Sequence, residues 1–233
     1  MKKKLLIVSL ALATSAAFSQ YGSEHEDIHT RTIDLNEKSL AFGLTEAQFE
    51  TIKDGAYTNA NFVLGNIYQD DQLIKSGVPM RFNAHADEIE IKQISSDQSY
   101  SALVKDPSIF VKIGTEVYVL VPYQGSNEKG GYFNVLYDGT TYDLYKKTKA
   151  TFKEGQEAKS TYGRDTPPSF VKTTTYYLME DGRLLEMPSS KSKILKMMDS
   201  KSSEMKEFIK KNRLDLDKEA DLINAITHFD SLS

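Results

Sequence analysis

The chain contains no cysteine and no tryptophan among its 233 residues. Without cysteine there is no disulfide framework, no thiolate nucleophile, no thiolate metal site and no acylated lipobox. The sequence also lacks a phosphate-binding P-loop, a dinucleotide fingerprint and a G-x-S-x-G nucleophile elbow. It therefore gives no support for nucleotide binding or for acyl transfer by a serine nucleophile. Stability must therefore come from the packing of apolar side chains.

Long apolar runs are also lacking after the first nineteen residues. No later segment approaches the roughly 18–20 apolar residues that a membrane-spanning helix needs, so we expect no transmembrane segment in the mature chain. Within the first nineteen, three lysines at 2–4 precede an apolar run at 5–13, and the small residues Ala17 and Ser19 follow. This pattern is typical of a secretory signal peptide. We predict cleavage after Ser19 and a periplasmic or secreted protein.

Basic side chains are fewer than acidic ones. Cleavage after Ser19 removes three lysines, so 26 of the 29 basic side chains remain against 33 acidic ones, a net charge near −7. Because a negative long-range field repels polyanions, we do not expect nucleic acid as a partner.

The spacing of apolar residues changes along the chain and divides it into four segments. Thr45 is a plausible N-cap for a short helix that ends near Asp54-Gly55. From about residue 62 to 185 the period is mostly two, whereas after residue 189 apolar residues recur every three or four positions. The predicted segments are a signal peptide (1–19), a polar leader with a short helix (20–54), an antiparallel β domain (55–188) and C-terminal helices that pack on the sheet (189–233).

Turn residues separate the predicted strands. Asp70-Asp71, Asp138-Gly139 and Asp181-Gly182 lie between stretches rich in β-branched and aromatic residues, which indicates hairpins, with a left-handed glycine in the latter two turns. The charged segment 153–168 is predicted to be a solvated loop. The fold class is therefore α+β: an antiparallel β meander, either a bent sheet or a sandwich, followed by a C-terminal helical hairpin.

The reversal between the two C-terminal helices has its own signals. Asn212 is well suited to the left-handed position after a helix, and Leu214 can close the accompanying hydrophobic contact. Asp215 or Asp217 is then predicted to cap the last helix.

Residues 25–29 match the H-E-x-x-H pattern of zinc proteases, in which two histidines one helical turn apart bind the metal and the glutamate polarises water. The match begins six residues after the predicted cleavage site, with no preceding strands to form a cleft and no apolar helix face to hold the imidazoles. His25 and His29 are thus weak metal candidates. We predict no catalytic residue, no metal site and no cofactor.

Tyrosine and phenylalanine are abundant, with 13 and 11 residues. A tyrosine ring offers a large apolar area with a hydrogen-bonding tip, and such rings can line a groove for a peptide, a glycan or a lipid. Alternating tyrosines also form ordinary cross-strand pairs on a half-buried sheet. The weak ligand-binding candidates are Tyr123, Tyr132, Tyr137, Tyr142 and Tyr145.

The order of several short blocks carries a resemblance. These blocks are Asn61-Phe62-Val63-Leu64-Gly65, Pro79-Met80-Arg81-Phe82-Asn83 with Asp87-Glu88-Ile89-Glu90, the run 131–139 and the tail 208–232. From about residue 55 to its end, the chain resembles an uncharacterised group of exported proteins of Bacteroidetes-type Gram-negative bacteria. The resemblance implies a β-rich envelope protein with a helical C-terminus and no known activity.

Three functions remain open from the sequence. The first is a non-enzymatic cell-envelope protein that binds a protein, a glycan or an apolar ligand through edge strands and tyrosine-bearing faces. The second is a zinc-dependent hydrolase that uses the match at residues 25–29. The third is a periplasmic lipid carrier with an apolar ligand between the sheet and the helices.

Overall fold

The computed structural model describes residues 28–33, 41–97, 99–122, 130–158 and 163–233. Within these ranges the fold is an antiparallel sheet with C-terminal helices, as the sequence predicts. It has four α-helices, and the C-terminal part contains three of them, where the sequence predicts two. All eleven strands belong to one sheet, in the order β1-β5-β4-β3-β2-β6-β7-β8-β9-β10-β11. The strands are β1 (Thr30–Thr32), β2 (Val63–Gln69), β3 (Gln72–Asn83), β4 (Glu88–Ile91), β5 (Ser101–Leu103), β6 (Ile109–Ile113), β7 (Glu116–Val121), β8 (Gly131–Tyr137), β9 (Tyr142–Lys153), β10 (Ser169–Glu180) and β11 (Arg183–Glu186). The helices are α1 (Glu46–Ile52), α2 (Lys191–Met197), α3 (Ser202–Lys211) and α4 (Glu219–Ser231).

Two of the three predicted turns have the expected backbone. Asp70 and Asp71 both adopt positive φ angles, 45° and 66°, between β2 and β3. Asp181 and Gly182 do the same between β10 and β11, at 48° and 73°. Two consecutive left-handed residues match the twist of the flanking strands.

The third turn differs from the prediction at Gly139, which is not among the residues with positive φ. The connection between β8 and β9 comprises residues 138–141. Glycine is needed there because of close approach: a Cβ atom would lie 2.7 Å from Asp230 Oδ2 and 2.6 Å from the Tyr137 ring. The backbone carbonyl oxygen of Tyr142 would lie closer still, so contacts within the turn and a partner from the far end of the chain both require glycine here.

Strands β9 and β10 are much longer than the short alternating patterns predict. Their register runs without interruption from Ser169↔Lys153 to Glu180↔Tyr142. Most of the added length is rich in lysine and threonine. A prediction from alternating apolar residues therefore misses these parts of the strands. The predicted loop begins where β9 ends, and an isolated bridge joins Gln156 to Thr166 within it.

One face of the sheet, here called the core face, carries the two larger apolar clusters. Leu144 and Ala150 lie six residues apart in β9 and thus on the same face. Ala150 belongs to the first cluster, around β3, β4 and β6, and Leu144 to the second, around the C-terminal helices. Ala150 N donates to Ala84 O at 3.0 Å, which joins β9 to the turn after β3. The opposite face carries a small cluster that includes Phe133 and Tyr177.

A polar network lies buried beside the first cluster. Glu90 is fully buried, and its carboxylate accepts bonds from Arg81 Nε at 2.9 Å and Asn83 Nδ2 at 2.9 Å. The Arg81 guanidinium also donates to Tyr57 Oη at 2.9 Å and to Ala60 O at 2.8 Å. Burial, followed by the charge of Glu90, raises the pKa of Tyr57 far above its usual range, so this hydroxyl stays protonated.

The C-terminal helices cover the core face at β9 and β10. Their buried side chains lie at spacings of three and four, as predicted for amphipathic helices. They pack with Leu144 and Leu178 of the sheet. The buried helical members are Ile194, Leu195, Met205, Ile209, Leu222, Ala225, Ile226 and Phe229.

The connection between α3 and α4 corrects two expectations. Asn212 is the C-cap with φ −91°, and Arg213 is the left-handed residue with φ 54°. Leu214 N donates to Ile209 O at 3.0 Å, the wide bond of a Schellman motif, so the motif is present but shifted by one residue. The N-cap of α4 is Lys218, not Asp215 or Asp217, and it makes no side-chain capping bond.

Helix α1 follows the prediction. Thr45 is its N-cap and forms a capping box with Gln48, and a 3₁₀ turn at Lys53–Ala56 follows the helix. Among the residues that the structure describes, no helix has the length and apolar character needed to cross a membrane.

Candidate functional site

A groove lies where β10 and β11 meet the helices α2 and α4. Its volume is about 800 Å³. Helix α2 and the strands supply most of its lining, and α4 closes one side. The apolar lining consists of Tyr142, Leu178, Leu185, Pro188, Met197 and Phe229, and the charged lining of Glu180, Glu186, Lys193, Lys196 and Asp199.

A pair of stacked rings forms one wall of this groove. The rings of Tyr142 and Phe229 lie 4.5 Å apart between centroids, with an angle of 29° between their planes. Phe229 is only 2% exposed, whereas Leu185 at the opposite strand is 40% exposed. The groove thus offers a fixed aromatic wall and an accessible aliphatic side chain, a combination suited to an apolar ligand.

The charged side chains of the lining carry both signs. Lys193 and Lys196 lie one turn apart on α2, whose buried residues Ile194 and Leu195 fix the orientation of the helix. Glu180 and Glu186, at the two ends of the β10–β11 hairpin, bring negative charge to the same groove. Side chains of both charges around an apolar centre can form hydrogen bonds with a ligand, but they do not strongly favour either a cationic or an anionic one.

Asp230 fixes the end of α4 beside the groove. Its carboxylate accepts bonds from the backbone N–H groups of Thr140 at 2.8 Å, Thr141 at 2.8 Å and Tyr142 at 2.9 Å. The Tyr137 hydroxyl donates a fourth bond at 3.0 Å. Burial by itself raises the pKa of Asp230, but these donors outweigh it and lower the pKa to about 2. The residue next to Phe229 is thereby held in place.

Glu219 attaches the other end of α4 to the sheet. It forms an ion pair with Lys146 of β9 at 3.1 Å and accepts a bond from the Tyr176 hydroxyl of β10 at 3.1 Å. Burial, followed by the negative charge of Glu219, raises the pKa of Tyr176 to about 12, so the hydroxyl remains a donor. With both ends of α4 attached, the wall that Phe229 provides is formed before any ligand arrives.

The four described members of the predicted tyrosine set do not lie in one site. Tyr132 is 1% exposed in the first core cluster, and Tyr145 packs in the small cluster on the opposite face. Tyr137 binds Asp230, and Tyr142 lines the groove. Tyr123 lies outside the described residues.

Most residues of the groove carry no signal that the sequence analysis used. Leu185, Met197 and Phe229 are apolar members of a strand and of amphipathic helices, and their pattern predicts only burial. Asp230 sits in the last turn of a helix, where an acidic residue opposes the helix dipole, and that unfavourable position is the one signal that points to a specific partner.

Of the two metal candidates, the structure describes only His29. His25 lies outside the described residues, while His29 directly precedes β1, and its carbonyl accepts a bond from Val104 N at 3.0 Å. Over the described ranges, no group of three or more histidine, cysteine, aspartate or glutamate side chains is arranged to hold a metal ion.

Comparison with known proteins gives no relative. No family model matches the chain, and neither the curated proteins nor the solved structures give a match. Functional inference for this chain therefore rests on its own geometry.

Proposed function

We propose that this chain is an exported, non-enzymatic binding protein that holds an apolar ligand in the groove between β10–β11 and the C-terminal helices. The single observation that carries this proposal is the groove itself, with a volume of about 800 Å³ and six apolar lining residues. Ligand sites in proteins are typically concave, mostly apolar and roughly 300–1,000 Å³ in volume. The signal-peptide pattern at residues 1–19 supports export to the periplasm or beyond it.

The architecture that we infer is one bent sheet closed by a helical hairpin, rather than a sandwich. The hydrogen bond between Ala150 and Ala84 supports the bend, because β3 and β9 are separated by four strands in the sheet order. The Schellman reversal at Arg213 and the shared apolar cluster support the hairpin of α3 and α4. The groove lies where α2 and α4 meet β10 and β11.

The ligand that fits this groove has an apolar body and a neutral or zwitterionic polar end. Tyr142, Leu185 and Phe229 would contact the apolar part. The polar end would lie at the charged side chains, where two lysines stand among three acidic residues. A strongly anionic or cationic head group finds no surplus of opposite charge there, which favours an uncharged or balanced end.

A fluorescence titration with the neutral apolar dye N-phenyl-1-naphthylamine tests this proposal. We expect saturable enhancement with the purified mature protein and displacement by a zwitterionic single-chain lipid. The variant Leu185→Asp places a charge against the apolar wall and should weaken dye binding about tenfold or more, since burying an unpaired charge is costly. Leu73→Asp is the matched control, because Leu73 is also exposed, at 56%, and lies in β3 outside the groove.

Two results would count against the proposal. One is equal dye binding by the Leu185→Asp and Leu73→Asp variants, and the other is no saturable binding by the parent protein. Native mass spectrometry of detergent-free protein provides a second readout, since a retained apolar molecule should appear as a mass increment.

Export is tested separately by the intact mass of protein recovered from the host periplasm. Removal of 19 of the 233 residues should leave 214 residues that begin at Gln20. A full-length chain confined to the cytoplasm would contradict the export part of the proposal while leaving the groove to be tested on its own.

A further inference from the structure

A second, smaller pocket lies far along the sheet from the groove, at the turn after β3. Its volume is about 360 Å³. The turn residues His85 and Asp87 form one side, β9 supplies Lys147 and Lys149, and Lys105 completes the lining together with backbone near Gly130. None of these residues lines the proposed ligand groove.

Asp87 organises the pocket. It adopts a left-handed backbone conformation with φ 56°, which aspartate tolerates better than most residues. Its carboxylate accepts a bond from Tyr132 N at 3.1 Å and pairs with Lys105 at 3.0 Å. Lys147 Nζ lies 3.8 Å from the same carboxylate and donates to Gly130 O. One carboxylate thus holds two ammonium groups in fixed positions.

Positive charge exceeds negative charge in this pocket. Among its described lining residues, three lysines stand against the single carboxylate of Asp87. The Lys147 side chain is only 18% exposed, and it packs over the Phe133 ring at 4.6 Å. Burial lowers the pKa of Lys147; the charge of Asp87 opposes this shift, and the smaller effects of Lys105 and Lys149 add to it.

The surplus is local, since the overall charge of the chain is negative. Ammonium groups that are held together against their repulsion are stabilised when an anion enters between them. A tetrahedral oxyanion offers several acceptor oxygens, so it can bind more than one lysine at once.

We propose that the pocket formed by Lys105, Lys147, Lys149 and Asp87 is a binding site for a phosphate group. The phosphate would lie beside Asp87, with its oxygens accepting bonds from Lys105, Lys147 and Lys149. The volume leaves room for part of an attached group, so the phosphate can be free or the end of a phosphomonoester such as a head group.

Isothermal titration of the purified protein with inorganic phosphate, at constant ionic strength, tests this site. Saturable binding is expected. Lys147→Met and Lys105→Met should each weaken it about tenfold, the scale of one lost charge-assisted hydrogen bond. Lys75→Met is the matched control: it removes the same charge from an exposed position of β3 outside the pocket, and it should leave the affinity unchanged.

Asp87→Asn gives the sharpest test, because it should act in the opposite direction. Asparagine keeps an acceptor for Tyr132 N and tolerates the left-handed backbone, so the turn should persist. Loss of the only carboxylate in the described lining should strengthen phosphate binding several-fold. A thermal melt of each variant confirms that it is folded.

The outcomes separate clearly. Weakening in both lysine variants with strengthening in Asp87→Asn supports the site. Absence of saturable binding, or equal weakening by Lys75→Met and Lys147→Met, overturns it. A parallel titration with glycerol 3-phosphate distinguishes the two sources: tighter binding than inorganic phosphate indicates a phosphomonoester ligand, and equal binding indicates free phosphate.

Discussion

Two glutamates illustrate how differently charge is accommodated in two regions of the sheet. The first region is the face opposite the core face at β3 and β4, because Glu90 alternates with the core residues Ile89 and Ile91. The second is the core face at β9 and β10, where the C-terminal helices pack. Glu90 in β4 is fully buried and shares its carboxylate with Arg81 and Asn83. Glu219 in α4 keeps 38% of its side chain exposed and pairs with Lys146 at the boundary between helix and sheet. The first region contains an ion pair within the interior, whereas the ion pair of the second region lies at the margin of an apolar contact.

Aromatic rings surround the buried guanidinium of Arg81 in the first region and help to stabilise its charge there. The Arg81 guanidinium carbon lies 3.8 Å from the centre of the Tyr57 ring, 4.3 Å from Phe62 and 4.9 Å from Tyr100. Stacking of this kind adds to the ion pair and restricts the geometry of the side chain. The helix-covered region instead buries the carboxylate of Asp230, which accepts bonds from three backbone N–H groups and the Tyr137 hydroxyl beside the groove. One region thus buries an ion pair among aromatic rings, and the other a single carboxylate next to an apolar groove.

The largest expected effect comes from Glu90→Gln. The substitution keeps the shape but leaves the Arg81 charge buried without its counter-ion, so the free energy of unfolding should fall by about 3–5 kcal/mol. Urea denaturation measures the change. Glu50→Gln is the control, since Glu50 pairs with Lys53 at an exposed position and its loss should cost about 0.5 kcal/mol or less. Similar losses in the two variants would contradict the distinction between the two environments.

A smaller loss is expected from Asp230→Asn at the end of α4. The carboxylate is 7% exposed and accepts three backbone bonds, so replacing one oxygen by an NH₂ group should cost about 1–3 kcal/mol of unfolding free energy. Asp71→Asn serves as the control, because it lies exposed in a left-handed turn position that asparagine adopts readily. Equal stability of the two variants would show that Asp230 does not fix the helix.

The same carboxylate gives the helix-covered region a specific acid dependence. The pKa of Asp230 is about 2 in the folded chain, below the ordinary value of 3.8. Its contribution to stability is therefore complete above pH ~4 and is lost as the pH falls from there through about 2. Denaturation midpoints across this range should fall more steeply for the parent protein than for Asp230→Asn. Parallel curves for the two proteins would refute the assignment.

The smallest effect is expected from Glu219→Gln, which makes the same chemical change as Glu90→Gln in the other region. A partly exposed ion pair contributes little because water and salt screen it, so we expect a loss of less than about 1 kcal/mol. Raising the salt concentration should reduce even this difference. A loss as large as that of Glu90→Gln would mean that α4 depends on charge as strongly as the interior does.

The sequence predicts the sheet and the helices because their signals are local. The alternation of Ile89 and Ile91 with polar neighbours defines β4, and the capping box of Thr45 and Gln48 defines the start of α1. Hairpin turns at Asp70-Asp71 and Asp181-Gly182 follow from residues that tolerate positive φ. Each of these features depends on side chains within a few positions of one another.

Features that depend on distant partners escape such reasoning. Gly139 resembles a left-handed turn residue, but its φ is not positive, and a side chain there would crowd Asp230, 91 positions later, as well as Tyr137 and Tyr142 nearby. Tyr132 and Tyr142 look alike in sequence, yet the first is buried in the core and the second lines the groove. Which face of a strand a tyrosine occupies follows from alternation, but what covers that face does not.

The sequence alone determined which kinds of interaction stabilise this protein. Without cysteine there are no disulfides, so packing, hydrogen bonds and ion pairs must stabilise the fold. It also determined the period of each segment, since local backbone preferences act within a few residues. Only the tertiary structure decided that Asp230 binds residues 140–142, that Lys105 and Lys147 meet at Asp87, and that α2 and α4 leave a groove over β10 and β11. Those contacts join residues far apart in the chain, and their geometry exists only after the sheet and the helices have packed together.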